Sequence, residues 1–326
     1  RCSPWWGKPS PLYFPQWVEG VHGPNGPIQN LAEFSVYTLE GERVEWQRDS
    51  LNACHFLIQP PRGAKRIRAE TTYICNQATA NTLGIDSHGT SALGIVSWNT
   101  CLLYPGGYDI SDVRVDLTLL LPNSWQWGSS LRERSRQENT VCFEPVSYRQ
   151  LVDSPLIAGK EFRTIDVTPS GGTPHYLHLT SESRQAIHPD EKALDKLKKM
   201  VAEAMALFGT EHNYDYHFLL ILSDALPFLG LEHLRSSLNV VGERGLDEDQ
   251  LHTTGHLITH EYGHRWCGKY HRPAGMVSPD HHHPTDMRLL WVYEGLDQYL
   301  GVVLTARAGL FATKEYSSME GALRDG

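Results

Sequence analysis

Apolar and polar residues alternate in short runs through the first half of the chain, as strands with one buried face require. These runs occupy residues 32–40, 44–48, 54–59, 66–75 and 113–119. Glycine and proline residues separate the runs, and Pro122 closes the last of them. Short strands with this punctuation are typical of an antiparallel β-sandwich, so we predict one over residues 1–150. Nothing in this half suggests catalytic chemistry.

From residue 150 the apolar pattern changes. Strand-like runs at 162–167 and 175–179 precede a helix-like stretch at 190–208, and an apolar run follows at 216–222. In the helix-like stretch the apolar residues recur every three or four positions, at Leu194, Leu197, Val201, Ala204 and Phe208. This period predicts an amphipathic helix with one solvated face. We therefore predict a second domain over residues 151–326 and an α+β class for the whole chain.

The candidate chemistry lies in the sequence His-Glu-Tyr-Gly-His that begins at His260. Residues four apart lie one above the other on a helix, so His260 and His264 present their imidazoles from the same face. This spacing is typical of two zinc ligands, with Glu261 beside the open coordination position. His256 has the same spacing to His260, but that pair would have no carboxylate beside it.

Two residues further along the chain are candidates for a third ligand. His271 nearly completes the metzincin pattern H-E-x-x-H-x-x-G-x-x-H, but the glycine is one position late, at 268. Glu294 lies in a stretch, 286–308, that is apolar nearly all round and predicts a buried helix with Thr285 or Asp286 as its N-cap. A buried carboxylate is costly without a partner or a metal, so Glu294 is the favoured ligand.

Four stretches carry a resemblance to a known family. They are residues 260–266, 268–275, 289–296 and 230–237, with weaker echoes at 151–155 and 14–24. On these residues the chain resembles the glycyl aminopeptidase family of zinc metallopeptidases. These are gluzincins in which a PDZ domain often follows the catalytic domain.

The resemblance implies a β-sandwich followed by a thermolysin-like (gluzincin) peptidase domain that holds one Zn²⁺ per chain through His260, His264 and Glu294. It implies a zinc-dependent aminopeptidase that hydrolyses the N-terminal peptide bond and favours small residues such as Gly or Ala. Glu261 would be the catalytic base that takes a proton from water. The family's helical part after residue 310 and any PDZ domain are missing from the sequence, so we expect an incomplete peptidase domain.

The resemblance also implies a site for the free amine of the substrate. Related aminopeptidases bind it with the glutamate of a Gly-x-Met-Glu-Asn stretch on an edge strand. Here Gly230, Leu231 and Glu232 occupy the matching positions, with leucine for methionine and histidine for asparagine, and Glu232 comes 28 residues before His260. We expect these three residues to bind the substrate.

Two supporting roles follow from the same comparison. Asp297 lies one turn beyond Glu294 and is a candidate to orient a ligand imidazole. The family's oxyanion-stabilising tyrosine would fall beyond Gly326, and the tyrosines near the motif are Tyr262, Tyr270, Tyr293 and Tyr299. The sequence does not choose among these four. The histidine tract 281–283 is expected to be a solvent-exposed loop.

Composition limits the partners. The net charge of −9, without a cluster of lysine or arginine, argues against nucleic acid or an anionic membrane as a partner. The longest apolar run, residues 218–222, is far too short to span a bilayer. The expected partner is a peptide with a free N-terminus, and the oligomeric state stays open. The six cysteines show no regular spacing, which leaves both disulfides and free thiols open. A periplasmic or secreted location is favoured over a cytoplasmic one.

Two other functions remain as alternatives, an endopeptidase of thermolysin type and a non-catalytic module that binds peptides. The intact His-Glu-x-x-His pattern with a matched glutamate argues against the module, because a protein that has lost activity usually loses Glu261 or a ligand first. Cleavage of N-acetylated peptides would distinguish the endopeptidase from the aminopeptidase.

Overall fold

The computed structural model describes residues 10–75, 87–209 and 212–311. Fifteen strands of the first half lie in this part of the chain: β1 (Ser10–Tyr13), β2 (Leu31–Thr38), β3 (Trp46–Arg48), β4 (His55–Ile58), β5 (Ile67–Tyr73), β6 (His88–Gly89), β7 (Leu93–Val96), β8 (Tyr104–Pro105), β9 (Arg114–Val115), β10 (Thr118–Leu120), β11 (Gln126–Ser129), β12 (Glu133–Gln137), β13 (Thr140–Phe143), β14 (Val146–Ser147) and β15 (Leu156–Gly159). Two short helices, α1 (Trp98–Cys101) and α2 (Tyr148–Val152), and a 3₁₀ turn (Ile28–Asn30) lie between them.

These strands form five small sheets, and every pairing within them is antiparallel. The strand orders are β3-β4-β1-β8, β10-β13-β12, β11-β15-β7-β6, β9-β14 and β2-β5. The antiparallel character predicted for the first half is therefore confirmed. The single strand predicted at 113–119 is wrong, because β9 and β10 divide it and pair with different partners.

The predicted division at residue 150 stays a prediction, but one sheet of the first half continues past it. Strand β15 pairs with β7 and with β11, so residues 156–159 belong to a sheet of the first half. The pattern of that strand explains why the boundary is hard to place. All four of its residues are buried, so no alternation of apolar and polar residues marks this strand as the end of the first half.

The second half contains a five-stranded mixed sheet, with strands β16 (Glu161–Asp166), β17 (His175–Ser181), β18 (Tyr216–Leu222), β19 (Leu229–Glu232) and β20 (Ser236–Val241). The order is β16-β17-β18-β20-β19, in which the three inner strands are parallel and the two edge strands antiparallel. The α+β class is thus confirmed at the level of antiparallel sheets followed by a mixed α and β unit. Strand β19 lies at one edge and has a free side.

The second half also contains three longer helices, α3 (Glu191–Phe208), α4 (Leu251–Gly263) and α5 (Leu290–Ala308). Helix α4 packs on β19 and β20, and α5 packs against α3 and α4. The predicted stripe of α3 is confirmed, because its buried residues join the apolar side chains of β17 and β18 in one core. That core also includes Ile258 and Tyr262 of α4 and Leu304 of α5. One face of each helix is buried in this core, so the residues of the candidate site lie on the remaining faces. No helix in the described part of the chain is long and apolar enough to cross a membrane.

The prediction that α5 is buried all round is wrong. Its large apolar residues Trp291, Leu296 and Tyr299 are 74%, 43% and 56% exposed. The helix also begins later than predicted, since residues 287–289 form a 3₁₀ turn whose N-cap is Asp286. Apolar content alone does not reveal which face of a helix a neighbouring element covers.

Candidate active site

Helix α4 carries His260 and ends at Gly263, and His264, the second candidate ligand, is its C-cap residue. A π-helical turn, Arg265–Tyr270, follows the helix, and Gly268 lies within it. A β-carbon on Gly268 would be 2.9 Å from Nδ1 of His264 and 2.9 Å from Cζ of Tyr293. The absence of a side chain at 268 therefore lets the turn pack against both rings. The glycine that is out of register for the metzincin pattern has this packing role.

Glu294 of α5 faces the two histidines of α4. Its Oε2 atom lies 3.4 Å from Nε2 of both His260 and His264, and the two Nε2 atoms are 3.2 Å apart. Ligand atoms about 2.0–2.1 Å from a tetrahedral zinc ion lie about 3.3–3.4 Å from one another. The three side chains therefore fit a single zinc-sized ion. Glu261 is next to them, with one ligand atom from each of residues 260, 261 and 264 within 4.8 Å of the others.

The charges at this point also suit a cation. Burial alone would raise the pKa of Glu294, but hydrogen bonds from His22, His260 and His264 hold it well below its ordinary value. Burial alone would lower the pKa of His264, but Asp297 and Glu294 beside it raise that pKa to about 11. The carboxylates of Glu294 and Asp297 therefore favour positive charge at this point.

Asp297 lies against the imidazole of His264, a candidate ligand, as the sequence suggested. Its Oδ2 atom is 2.8 Å from Nδ1 of His264, and the aspartate side chain is fully buried. Gly263 makes room for it, because a β-carbon there would be 2.5 Å from Asp297 Oδ1. A carboxylate at Nδ1 fixes the tautomer of the ring and leaves Nε2 free for a metal.

Glu261 lies against the edge strand β19. Its side chain is buried, and burial followed by the nearby charge of Glu232 raises its pKa to about 8. The edge strand β19 covers it so closely that a β-carbon on Gly230 would lie 2.1 Å from Glu261 Oε1. The backbone of β19 and the carboxylate of Glu261 therefore lie side by side.

Glu232 ends that strand and is buried rather than exposed to solvent. The hydroxyl of Tyr293 donates a hydrogen bond of 2.5 Å to its Oε1 atom. Burial alone would raise the pKa of Glu232, but the positive charges of His264 and Lys269 and this hydrogen bond lower it. The structure thus brings residues 230–232 beside α4. The side chain of Leu231 packs into the core, so its backbone alone remains for a substrate.

Of the four candidate tyrosines, the structure places Tyr293 at the site. Its ring stacks on His264 with centroids 4.7 Å apart, and its hydroxyl is bound to Glu232. Tyr262 is fully buried, and its hydroxyl lies 2.7 Å from Nε2 of His175. The side chains of Tyr270 and Tyr299 are more than half exposed.

A loop from the first half reaches the site, contrary to the expectation that this half has no part in the chemistry. We call residues 16–26 the first-domain loop. Nε2 of His22 lies 2.6 Å from Oε1 of Glu294, and a β-carbon on Gly20 would be 3.0 Å from Oε2 of Glu232. In the sequence, the weaker family resemblance at residues 14–24 pointed to this loop. That resemblance indicates no role for any single residue.

Ion pairs hold the first-domain loop against the second half. Glu19 Oε2 lies 3.1 Å from Nζ of Lys269 and 3.4 Å from Arg272, and Lys269 is also 2.7 Å from Asp153. The Lys269 side chain is 4% exposed. Three of the stretches that carry the family resemblance, 14–24, 151–155 and 268–275, therefore meet in one charged cluster.

The other histidines lie elsewhere. The ring of His271 contacts Tyr270 and His212, and Nε2 of His256 lies 3.1 Å from the side-chain amide of Gln298. The prediction that the tract 281–283 is solvent-exposed is wrong for His281, which is buried and has its Nδ1 atom 3.0 Å from the Trp17 carbonyl. The five cysteines in the described residues, Cys54, Cys75, Cys101, Cys142 and Cys267, are free thiols, and Cys2 lies outside this part of the chain.

Comparisons with known proteins cover both halves of the chain. Residues 7–160 match the peptidase M61 N-terminal domain, and residues 253–323 match the M61 glycyl aminopeptidase domain. The crystal structure of an aminopeptidase N family protein from Idiomarina loihiensis superposes with a TM-score of 0.82 at 19% identity. The match covers 95% of this chain and 52% of the other, so the chain spans about half the length of that protein. At this identity the likeness concerns the fold alone. No curated protein matches.

Proposed function

The chain belongs to the M61 glycyl aminopeptidase family, and on that premise we propose that it is a zinc-dependent aminopeptidase with a gluzincin site. The observation that carries the proposal is the convergence of Glu294 Oε2 with Nε2 of His260 and His264, each 3.4 Å away. Two imidazoles and one carboxylate form a donor set that zinc accepts in catalytic sites with an open fourth position.

Each residue of the site has one task in this proposal. Bound zinc would supply a Lewis acid that lowers the pKa of water to about 7. Glu261 accepts a proton from the attacking water and delivers it to the leaving amine, a contribution of about 10²–10⁴ in rate. Asp297 holds the ring of His264, whose Nδ1 lies 2.8 Å from its carboxylate. Gly230 contributes the strand backbone beside the scissile peptide.

Cleavage at the N-terminus is supported by Glu232 and by the first-domain loop. A buried carboxylate that accepts a hydrogen bond from the substrate ammonium gains about 1.5–3 kcal/mol. Gly20 of the first-domain loop packs against Leu231 and Glu232, which closes the cleft beyond the amine. Little space remains there for a large first residue, which supports a preference for Gly or Ala.

A matched pair of peptides tests the proposal. Gly-Gly-Phe-amide and its N-acetylated form have the same peptide bonds and differ in the free amine. We expect release of glycine from the first peptide, no cleavage of the second, and loss of activity with a zinc chelator that added Zn²⁺ restores. Equal cleavage of both peptides would indicate an endopeptidase of thermolysin type. Zinc binding without cleavage of either peptide would leave a peptide-binding module.

A further inference from the structure

The first-domain loop brings a histidine to the third candidate ligand. Nε2 of His22 lies 2.6 Å from Oε1 of Glu294, whereas Oε2 of the same carboxylate is directed to His260 and His264. The two oxygens of Glu294 therefore have separate partners. One meets the metal position and the other meets a residue that lies 272 positions earlier in the chain.

We propose that His22 is a positioning residue, which donates a hydrogen bond from Nε2 to Oε1 of Glu294 and so holds Oε2 at the metal. The inference rests on the proposed function, because it concerns the metal of that site. It differs from a catalytic role, since His22 acts through Glu294. A carboxylate that is fixed at one oxygen presents the other to a metal in one orientation, which favours binding through a single oxygen.

Glu294 needs such a partner more than the other ligands do. Its side chain is 36% exposed, compared with 15% for His260 and 1% for His264. Asp297 already holds His264 from behind. A half-exposed carboxylate at the end of a flexible side chain loses more conformational entropy when it is fixed, so a rigid donor beside it has the larger effect.

The first-domain loop is built to deliver this histidine. The backbone N–H groups of Gln16 and Trp17 both donate to the carbonyl of His281, and Val18 and Gly23 form an isolated bridge across the loop. His22 has a positive φ of 55°, which few residues other than glycine adopt. Its ring also packs edge-on against Tyr293, with centroids 5.7 Å apart.

The ion pairs of Glu19 with Lys269 and Arg272 fix the loop three residues before His22. The position of His22 is thus determined by contacts on both sides of it, from the bridge, the ring packing and the ionic cluster. Residues in unusual backbone conformations that many contacts maintain are found preferentially at functional sites.

Two substitutions of matched shape test the proposal. His22→Gln retains a side-chain N–H donor at a similar reach, whereas His22→Met has nearly the same size as glutamine and no donor. His283→Met is the control, because His283 is 69% exposed and its partner is Asp280. The readout is zinc affinity of the purified proteins, measured by competition with a fluorescent chelator, together with thermal unfolding of the metal-free forms.

We expect zinc affinity to fall about 10- to 100-fold in His22→Met, to stay within about threefold of the parent in His22→Gln, and to be unchanged in the control. Unchanged affinity in His22→Met would overturn the inference while the proposed function stands. An equal loss in both His22 variants would show that the ring, and not a donor, is needed, and would also overturn it. A parent that binds no zinc would overturn the proposed function and the inference with it.

Discussion

Gly230 lies directly on Glu261, so that a β-carbon at 230 would be 2.1 Å from Oε1 of that carboxylate and 2.6 Å from Cδ1 of Leu257. The edge strand can therefore lie this close to the candidate base only because residue 230 has no side chain. Gly230→Ala must displace the strand or the carboxylate. A misplacement of about 1 Å at a reacting group costs about 10²-fold in rate.

We expect Gly230→Ala to lower kcat by about 10²-fold and to leave zinc content unchanged, because no ligand touches residue 230. Steady-state kinetics and elemental analysis of the same preparation measure both. Gly295→Ala is the control, because a β-carbon there meets nothing within 4 Å. If Gly230→Ala had the parent's kcat, catalysis would tolerate the displacement of the strand or of the carboxylate. The close approach of Gly230 to Glu261 would then have no role in catalysis.

Glu261→Gln should retain the fold and the zinc, because the amide has nearly the shape of the carboxylate and Glu261 is not a ligand in this site. Hydrolysis should fall by about 10²–10⁴, since glutamine cannot accept a proton from water. Single-turnover assays on a free-amine peptide measure the loss. Near-parent turnover would assign Glu261 a structural role and would require another base.

Glu232→Ala removes the carboxylate that we expect to bind the substrate's ammonium. The predicted loss in kcat/KM on free-amine peptides is about 10- to 150-fold, as a charge-assisted hydrogen bond of about 1.5–3 kcal/mol implies. Glu248→Ala, at an exposed position of the loop between β20 and α4, is the control. An unchanged kcat/KM of Glu232→Ala on free-amine peptides would exclude amine recognition by Glu232.

The sequence predicted the parts of the site that depend on local spacing. His260 and His264 share a helix face because they are four residues apart, and Asp297 lies one turn from Glu294 for the same reason. Glu294 was favoured as a ligand because its helix was expected to be fully buried. That expectation is wrong, since Trp291 and Tyr299 of the same helix are exposed. Glu294 nevertheless contacts His260 and His264, because it lies on the face of α5 that is turned towards α4.

The contact of His22 with Glu294 could not be predicted from the sequence. It lies on a loop without a periodic pattern, and it reaches Glu294 through tertiary contacts with residues more than 200 positions away. The burial of Glu232 was equally hidden, because its environment comes from the first-domain loop and Tyr293. Local patterns specify elements, whereas contacts between distant parts of the chain specify which side chains meet. The roles that we assign to these residues stay predictions.

The ionic cluster of the first-domain loop should make the protein sensitive to acid. Burial alone would raise the pKa of Glu19, but the charges of Lys269, Arg272 and His281 hold it well below its ordinary value. A carboxylate with a lowered pKa in the folded state stabilises the protein above its unfolded-state pKa of about 4.3, and this stability is lost as the pH falls through the folded-state pKa.

We expect Glu19→Gln to lower the free energy of unfolding at pH 7 by about 1.5–3 kcal/mol, because a charge-assisted hydrogen bond is lost. The difference from the parent should shrink as the pH falls below the unfolded-state pKa of about 4.3, and disappear only below the lower pKa of Glu19 in the folded protein. Urea unfolding of both proteins between pH 3 and pH 7 measures it. A difference that stays constant over that range would show that the charge of Glu19 contributes nothing.

The central claim is that His260, His264 and Glu294 hold one zinc ion, and elemental analysis of two purified variants tests it most directly. Both proteins are dialysed against the same limiting chelator and compared with the parent. We predict that the parent and His271→Ala retain about one zinc per chain and that Glu294→Ala retains none, because the carboxylate supplies the third ligand. Zinc retained by Glu294→Ala and lost from His271→Ala would contradict the account.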